Sequence, residues 1–421
     1  MATYYIDNVG GCDGCDGLTP EAAKKDYLKI SVKPGDTLLF KRGSFYRGVI
    51  HFTGGEDGAP TTYGAYGDGE MPTFCGSVDV SAESDWELTE VANVWRCTVD
   101  IPTDVGNFVF NDDECTATLR WAKNELCGQG DFWDSRLAEC NQNVNKTYTP
   151  QEILLFSCGN PATVYRHIEA VPYGARWLGE LRSNLIVENL EFMNSGVHGL
   201  TCAGYNRNIT IRGCVLKNIG GCGWSRERRI RFGNGIEFWI GAENILIENN
   251  TFLNIYDSCA THQGPDHKTP PARNFHVHGN IFDTYSMAAF EYRAQMMIDS
   301  SFTDNICRNA GCGFGMLGEE LPRMSEIHPQ PMGHHIFLWR IWEAPEGGSL
   351  LIEGNRFENA PHGAAVYSII CPEAEAQVAL RNNLYTGNDT LLVRWGEKNY
   401  PSLDEYKSAT GNDEGSEYIK I

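Results

Sequence analysis

No run of apolar residues in this chain approaches the roughly 18 that a membrane-spanning helix requires, so no membrane partner is expected. Basic residues are scarce as well. Lys and Arg number 34 against 55 Asp and Glu, a formal net charge of −21 over 421 residues. Phosphate binding needs a basic face, which argues against nucleic acid as a partner. The one dense basic stretch, Arg226-Glu-Arg-Arg-Ile-Arg231, reads as a solvated insertion loop, with a clamp for an acidic sugar or phosphate as the alternative. Regular cysteine spacing is missing too. The 15 cysteines are odd in number and scattered, which points to free thiols, and Cys12-Asp-Gly-Cys15 lacks the second half of a zinc site. The segment Met1-Ala-Thr-Tyr-Tyr-Ile-Asp7 has no basic region followed by an apolar run. A cytoplasmic location is therefore expected, or secretion if a leader has been removed.

What the chain does contain is a repeat. Between Gly235 and Arg293 an apolar-alternating run, an Asn-x-Phe step, a turn and a second short run occur twice, so that Asn250 and Phe252 match Asn280 and Phe282. Upstream the pattern takes in Leu190 with Phe192 and Cys214 with Leu216. Downstream it takes in Asn305 with Cys307, Asn355 with Phe357, and Asn383 with Tyr385. Successive copies lie 24, 36, 30, 25, 50 and 28 residues apart. A unit of roughly 24 residues with insertions accounts for these gaps, the 50 being either two units or one with a long loop. A unit this short cannot bury its own apolar face, so coils must stack into a continuous core. The expected fold is all-β, a β-solenoid. Asn249, Asn250, Asn280, Asn305, Asn355, Asn382 and Asn383 suit turns in left-handed conformation or side-chain ladders.

Aligned on the Asn-x-Phe steps, Thr201, Glu237, Thr261, Glu291, Met316 and Val366 fall in one column. Side chains alternate along a strand. Ile236, Ala260 and Phe290 then point inward, with Phe238, His262 and Tyr292 sharing their parity, while Glu237, Thr261, Glu291, Trp239, Gln263 and Arg293 face solvent. Insertions at 221–234, 264–273 and 319–348 flank this face. The first carries Trp224, the second His267, and the third Glu319, Glu320, His328, His334, His335, Trp339 and Trp342. Solenoid insertions gather on one face, often the binding face.

Three segments follow. Residues 1–83 form an N-terminal cap and first coils, with Thr19 as helix N-cap and Pro20 at the first helical position. Residues 84–175 break the repeat and read as an inserted β-rich subdomain. Its Trp86, Trp95, Trp121 and Trp133 either pack a small core or form a sugar-stacking wall. Residues 176–421 carry the regular coils and a closing helix near Ser402 to Gly411. The opening YYIDNVGG with DGLTPE, then KPGDTLLFKRG and APTTYGAYGDGEMPTFCGS, resembles bacterial right-handed parallel β-helix proteins of the carbohydrate-active kind. The TLRWAKNEL and EILLFSCGNPATVYRHIEA segments resemble β-helix glycosidases of the β-xylosidase type. The resemblance implies a right-handed parallel β-helix and a carbohydrate substrate. It does not choose among hydrolases, lyases, epimerases and esterases.

Glycoside hydrolysis needs two carboxyl groups astride the bond, about 5–5.5 Å apart for retention and 6.5–9.5 Å for inversion. Glu237 and Glu291, two coils apart at a rise of about 4.8 Å, favour inversion. Asp257, at the turn before the intervening strand, leaves retention open as a nucleophile. Glu291, after Met287-Ala-Ala-Phe290, has the more apolar surroundings expected of a general acid, and Glu237, close to the basic loop, those of a base or nucleophile. Trp239, Trp224, His262, Gln263, His267, Arg293 and His335 are candidates for binding the sugar. The bland alternatives are a solvated glutamate ladder, a core His262 and a loop His267. Adjacent His334 and His335 should face opposite ways and make a poor metal pair, so no metal or other cofactor is expected. The rival is a polysaccharide lyase, in which stacked carboxylates hold Ca²⁺ and Lys268 or Arg293 abstracts a proton beside a uronate. A non-catalytic glycan binder is the third reading, and homo-oligomerisation stays open.

Overall fold

A computed structural model describes residues 1–137, 151–314, 323, 331–387 and 392–421. The chain winds into a parallel β-helix with three faces. One is a ten-stranded sheet running from Thr3–Ile6 to Val378–Arg381, and a second ten-stranded sheet runs from Phe45–Arg47 to Glu417–Lys420. The third, the site face, has nine strands, from Trp177–Glu180 through Ile236–Trp239, Ser258–Gln263, Ala288–Gln295 and His334–Glu343 to Lys398–Tyr400. Each strand pairs in parallel with its counterpart one coil on, except the last on the site face, which turns back antiparallel.

Stacking builds the core that no single coil can make. Phe192, Leu216, Phe252, Phe282, Cys307, Phe357 and Tyr385 pair in register from coil to coil and are fully buried. Burying each large apolar side chain stabilises the fold by roughly 1.5–3 kcal/mol. Beside this stack runs a buried amide ladder. Asn250 accepts from the backbone N–H of Cys214, Asn280 from that of Asn250, Asn305 from Asn280, Asn355 from Asn305 and Asn383 from Asn355, all at 2.9–3.0 Å. Their amide groups also donate to carbonyls of an earlier coil, as Asn280 does to Ile247. Asn249 and Asn382, one residue earlier, adopt left-handed φ of 54° and 55°. The asparagines thus divide between ladder and turn.

Both ends are capped. Thr19 caps the short Pro20–Ala22 turn of 3-10 helix, and Ser402 caps the helix Leu403–Thr410, which ends on Gly411 at φ 68°. Between Val78 and Pro172 the chain leaves the coils and forms a four-stranded and a five-stranded sheet. Trp86, Trp121 and Trp133 are buried inside this insert and Trp95 packs against its core. They fill it; they do not wall a groove.

Of the two readings of the 50-residue gap, the structure has the single coil with a long insertion, since Cys307 pairs directly with Phe357. Two other expectations need correction. That insertion ends sooner than 348, because His334–Glu343 is a ten-residue strand of the site face. The column also continues differently: Glu291 pairs with Phe337 and Phe337 with Tyr367, while Val366 pairs with Ile336 and points inward. Counting across an insertion of unknown length could not fix that register. Met316, Glu319, Glu320 and His328 lie outside the described residues.

Candidate active site

The outward column of the site face reads Glu180, Thr201, Glu237, Thr261, Glu291, Phe337, Tyr367. Ile236, Ala260, Phe290 and Ile336 point into the lumen as their parity requires. The two glutamates are nevertheless not solvent-facing as expected: Glu237 is 5% and Glu291 1% exposed. They lie outside the lumen but under cover. The hairpin formed by Cys222–Ser225 and Ile230–Phe232 brings Phe232 edge-on to His198, at 5.6 Å between ring centroids, and His198 abuts Glu237. Trp339 roofs Glu291 from the next coil.

A buried carboxylate has to be supplied with donors. Glu237 takes the side-chain amide of Asn234 at 3.1 Å on Oε1 and the Thr201 hydroxyl at 3.1 Å on Oε2, with His198 Nε2 at 3.3 Å. The backbone N–H of Asn234 donates to His198 Nδ1. This hydrogen-bond network assigns the neutral imidazole proton to Nε2, directed at Glu237. Burial lowers the His198 pKa against the opposing pull of Glu237, so the ring is neutral near pH 7.

Glu291 has four donors. Ser258, Thr261 and Gln263 bond Oε2 at 2.9, 3.2 and 2.8 Å, and the Trp339 indole bonds Oε1 at 2.7 Å. Its pKa is still raised: burial dominates, and Asp257 pushes the same way against the pull of Arg293 and of the Trp339 and Ser258 hydrogen bonds. The two glutamates belong to one network, because Asn234 accepts from the backbone N–H of Ser258 while its amide holds Glu237.

Asp257 accepts from the backbone N–H of Gly233 at 3.0 Å and pairs with Arg323 at 2.6 Å, so both its oxygens are engaged. Gly233 has φ 136°, and a Cβ there would lie 2.2 Å from the Gly220 Cα. Glycine is the residue this close approach allows, and it sets the path of the chain into Asn234.

Gln263 is buried and bonds both Glu291 and Arg293. Arg293 lies over the Trp239 ring at 5.7 Å and the Trp339 ring at 5.1 Å. Trp224 is 46% exposed on the hairpin, edge-on to Phe232. Three candidates lie elsewhere. His262 is fully buried in the lumen against Tyr292, both ring nitrogens lack a hydrogen-bond partner, and its pKa falls to about 4. His335 is also inside, bonded to the Tyr285 hydroxyl and stacked on Phe357, its pKa lowered to about 3. His267 is exposed and contributes its backbone carbonyl to Gln295. Parity explains the first, and an adjacent irregularity explains the second: the N–H groups of His335 and Ile336 both bond the Ala365 carbonyl. His334 lies outside the lumen with Phe337 and Tyr367. The basic loop is also not wholly solvated, since Arg231 is buried and donates to the Gly221 and Gly106 carbonyls.

The residues missed from sequence are His198, Asn234, Ser258 and Arg323, whereas Trp339, expected in a flanking insertion, lies on a strand of the site face. The first three occupy one further column, three residues before Thr201, Glu237 and Thr261, so the same alignment contained them. Among the described residues, no group of three or more His, Cys, Asp or Glu side chains is placed to hold a metal ion. Two clefts, of about 380 and 660 Å³, open near the C-terminal helix beside Trp395 and Tyr400. They are three or more coils from Glu291 and belong to the cap.

This geometry has known counterparts at the level of fold. No protein-family model matches the chain, and no curated protein sequence does. Solved structures do. XylC in complex with xylose aligns at a TM-score of 0.53 with 11% identity, over 99% of this chain and 82% of that one. Pectate lyase Pel9A aligns at 0.52 with 12% identity, over 100% and 77%. The lacto-N-biosidase of glycoside hydrolase family GH136 from Eubacterium ramulus aligns at 0.50 with 14% identity; the match covers 93% of this chain and 61% of that one. The chain therefore has the right-handed parallel β-helix fold found in glycoside hydrolases and polysaccharide lyases. At these identities the likeness is one of fold.

Proposed function

We propose that the protein is a glycoside hydrolase acting on an oligosaccharide or glycan fragment, with Glu291 as general acid and Glu237 as base or nucleophile. The observation that carries this reading is a pair of buried carboxyl groups in one outward column, two coils apart, with the Glu291 pKa raised by burial. An acid that must hold its proton near neutrality needs that environment. When protonated, Glu291 donates to the Ser258 or Thr261 hydroxyl, either of which can accept as well as donate. A sugar leaving-group oxygen would replace that acceptor. Glu237, fixed by the Asn234 amide, the Thr201 hydroxyl and the His198 N–H, is the candidate to accept a proton from water or to attack. Two coils of about 4.8 Å separate the backbones, a span that suits inversion.

The test is a panel of nitrophenyl glycosides and natural oligosaccharides, read for released sugar and for new ultraviolet absorbance, with EDTA in parallel. Hydrolysis without new absorbance, insensitive to EDTA, is expected. Glu237→Gln and Glu291→Gln should each abolish turnover of natural substrate, while Glu291→Gln keeps partial activity on a substrate whose leaving group needs no proton. A rise in enone absorbance would make the protein a lyase, and binding without either product a lectin-like module. An active Glu237→Gln enzyme would remove that residue from the site.

A further inference from the structure

On the site face the parallel register between Ala288–Gln295 and His334–Glu343 breaks twice. Tyr292 pairs with Leu338, but Ala294 pairs with Ile341 and Gln295 with Glu343. The later strand thus carries an extra residue in each step. Arg340, at φ 53°, sits in the first bulge opposite Arg293, and Trp342, 49% exposed, in the second. Bulges re-aim side chains and are over-represented beside active sites. Here the result is two guanidinium groups on one indole: Arg293 lies 5.1 Å and Arg340 4.5 Å from the Trp339 ring centroid. That indole is the one bonded to Glu291.

Two cations side by side repel, and burial and Arg293 both lower the Arg340 pKa. In so acidic a chain, arginines elsewhere close on carboxylates: Arg207 on Asp57, Arg212 on Glu188, Arg308 on Asp283, Arg381 on Glu353. Among the described residues neither Arg293 nor Arg340 forms an ion pair. Arg293 spends one N–H on Gln263, and its Nε is buried with no hydrogen-bond partner. Glu291 contributes a compensating field, but its oxygens are occupied by four other donors.

We propose that Arg293 and Arg340 form an anion subsite that takes the carboxylate of an acidic sugar, seating it next to Glu291. The proposal rests on the reading of this face as a carbohydrate site and names its substrate class: a uronate-containing oligosaccharide. Arginine suits the task because its planar fork bonds a carboxylate through two N–H groups. Trp239 and Trp342 supply ring faces for the sugar, and the local pair of positive charges draws an anion into a protein whose overall charge would repel it.

Calorimetric binding of glucuronate- and galacturonate-containing oligosaccharides, each paired with its neutral counterpart, tests this without requiring turnover. Uronate ligands should bind more tightly, and raised salt should weaken only them. Arg340→Gln should cut uronate affinity about ten- to a hundred-fold, the loss expected of a charged hydrogen bond, and leave neutral ligands unchanged. Arg293→Gln should act in the same direction. Equal affinity for acidic and neutral sugars would overturn the proposal. So would an equal effect of Arg340→Gln on both, because the arginines would then serve only to hold Trp339 and Glu291. Uronate binding without cleavage would preserve the subsite and refute the hydrolase reading. Hydrolysis of neutral glycans without uronate binding would do the reverse.

Discussion

Replacing Trp339 by Phe isolates a single atom of the site. The indole N–H is 2.7 Å from Glu291 Oε1, whereas the other three donors all converge on Oε2. A phenyl ring preserves the stack on Phe337, whose centroid is 5.2 Å away with the rings 9° from parallel, and still offers a face to Arg293 and Arg340. What disappears is a hydrogen bond to a carboxyl group that is 1% exposed. With Glu291 ionised, that loss should cost about 1.5–3 kcal/mol, the value of a hydrogen bond to a charged group. With Glu291 protonated the cost is smaller, because a neutral carboxyl oxygen is a weaker acceptor. The Trp339 hydrogen bond lowers the Glu291 pKa against burial; removing it moves the pKa further up.

Two measurements follow from that sign. In chemical denaturation the deficit of Trp339→Phe should be larger at pH 8 than at pH 4.5. In the pH profile of kcat/KM the basic limb, set by loss of the Glu291 proton, should move to higher pH. An equal stability deficit at both pH values would show that the indole acts only by packing. A basic limb that stays fixed, in a variant that folds, would remove Glu291 as the general acid.

Glu291→Gln should alter stability in the opposite sense. The folded-state pKa lies above the ordinary carboxylate value, so the favourable contribution of the proton is fully present below about pH 4.5 and is lost as pH rises through the folded pKa. The variant, which cannot ionise, should gain on wild type in denaturation midpoint between pH 4 and pH 8; no change with pH would contradict the burial argument. Asn280→Ala should cost about 2–5 kcal/mol in equilibrium denaturation, because it strips the acceptor from the buried Asn250 N–H and the donor from the Ile247 carbonyl. A loss under 1 kcal/mol would mean that water enters the ladder.

The repeat was legible because its period is written in residues that stack on their own kind. Asn250, Asn280, Asn305, Asn355 and Asn383 bond one another, and the residues two positions later, aromatic except for Cys307, fill the lumen behind them. Such positions fix register without knowledge of the rest of the chain. Through that register the sequence placed Glu237, Thr261 and Glu291 in one column. It could not show that the column is covered. The cover comes from a hairpin inserted before Glu237 and from a strand after Glu291 whose bulges break the alternation that pattern reading relies on. Trp339 was misplaced for the same reason: an insertion of unknown length precedes it and a bulge follows. His262 and His335 were chosen for their chemistry, although for His262 the alternation already pointed inward.

The ladder and the site are also mechanically related. From Cys214 to Asn383 each coil is pinned to the next by a buried asparagine, so the distance between backbones two coils apart there is set mainly by the backbone rise. Glu237 and Glu291 ride on such coils. Asn234 and Ser258 connect them, and each donates its own backbone N–H across to a neighbouring coil, to His198 and to Asn234 respectively. With the backbones held this way the two side chains could move only by rotamer change, and each glutamate would have to surrender several donors to do so. The two-coil spacing of the glutamate backbones is therefore a property of the fold, and the loops and bulges around it can vary without disturbing it.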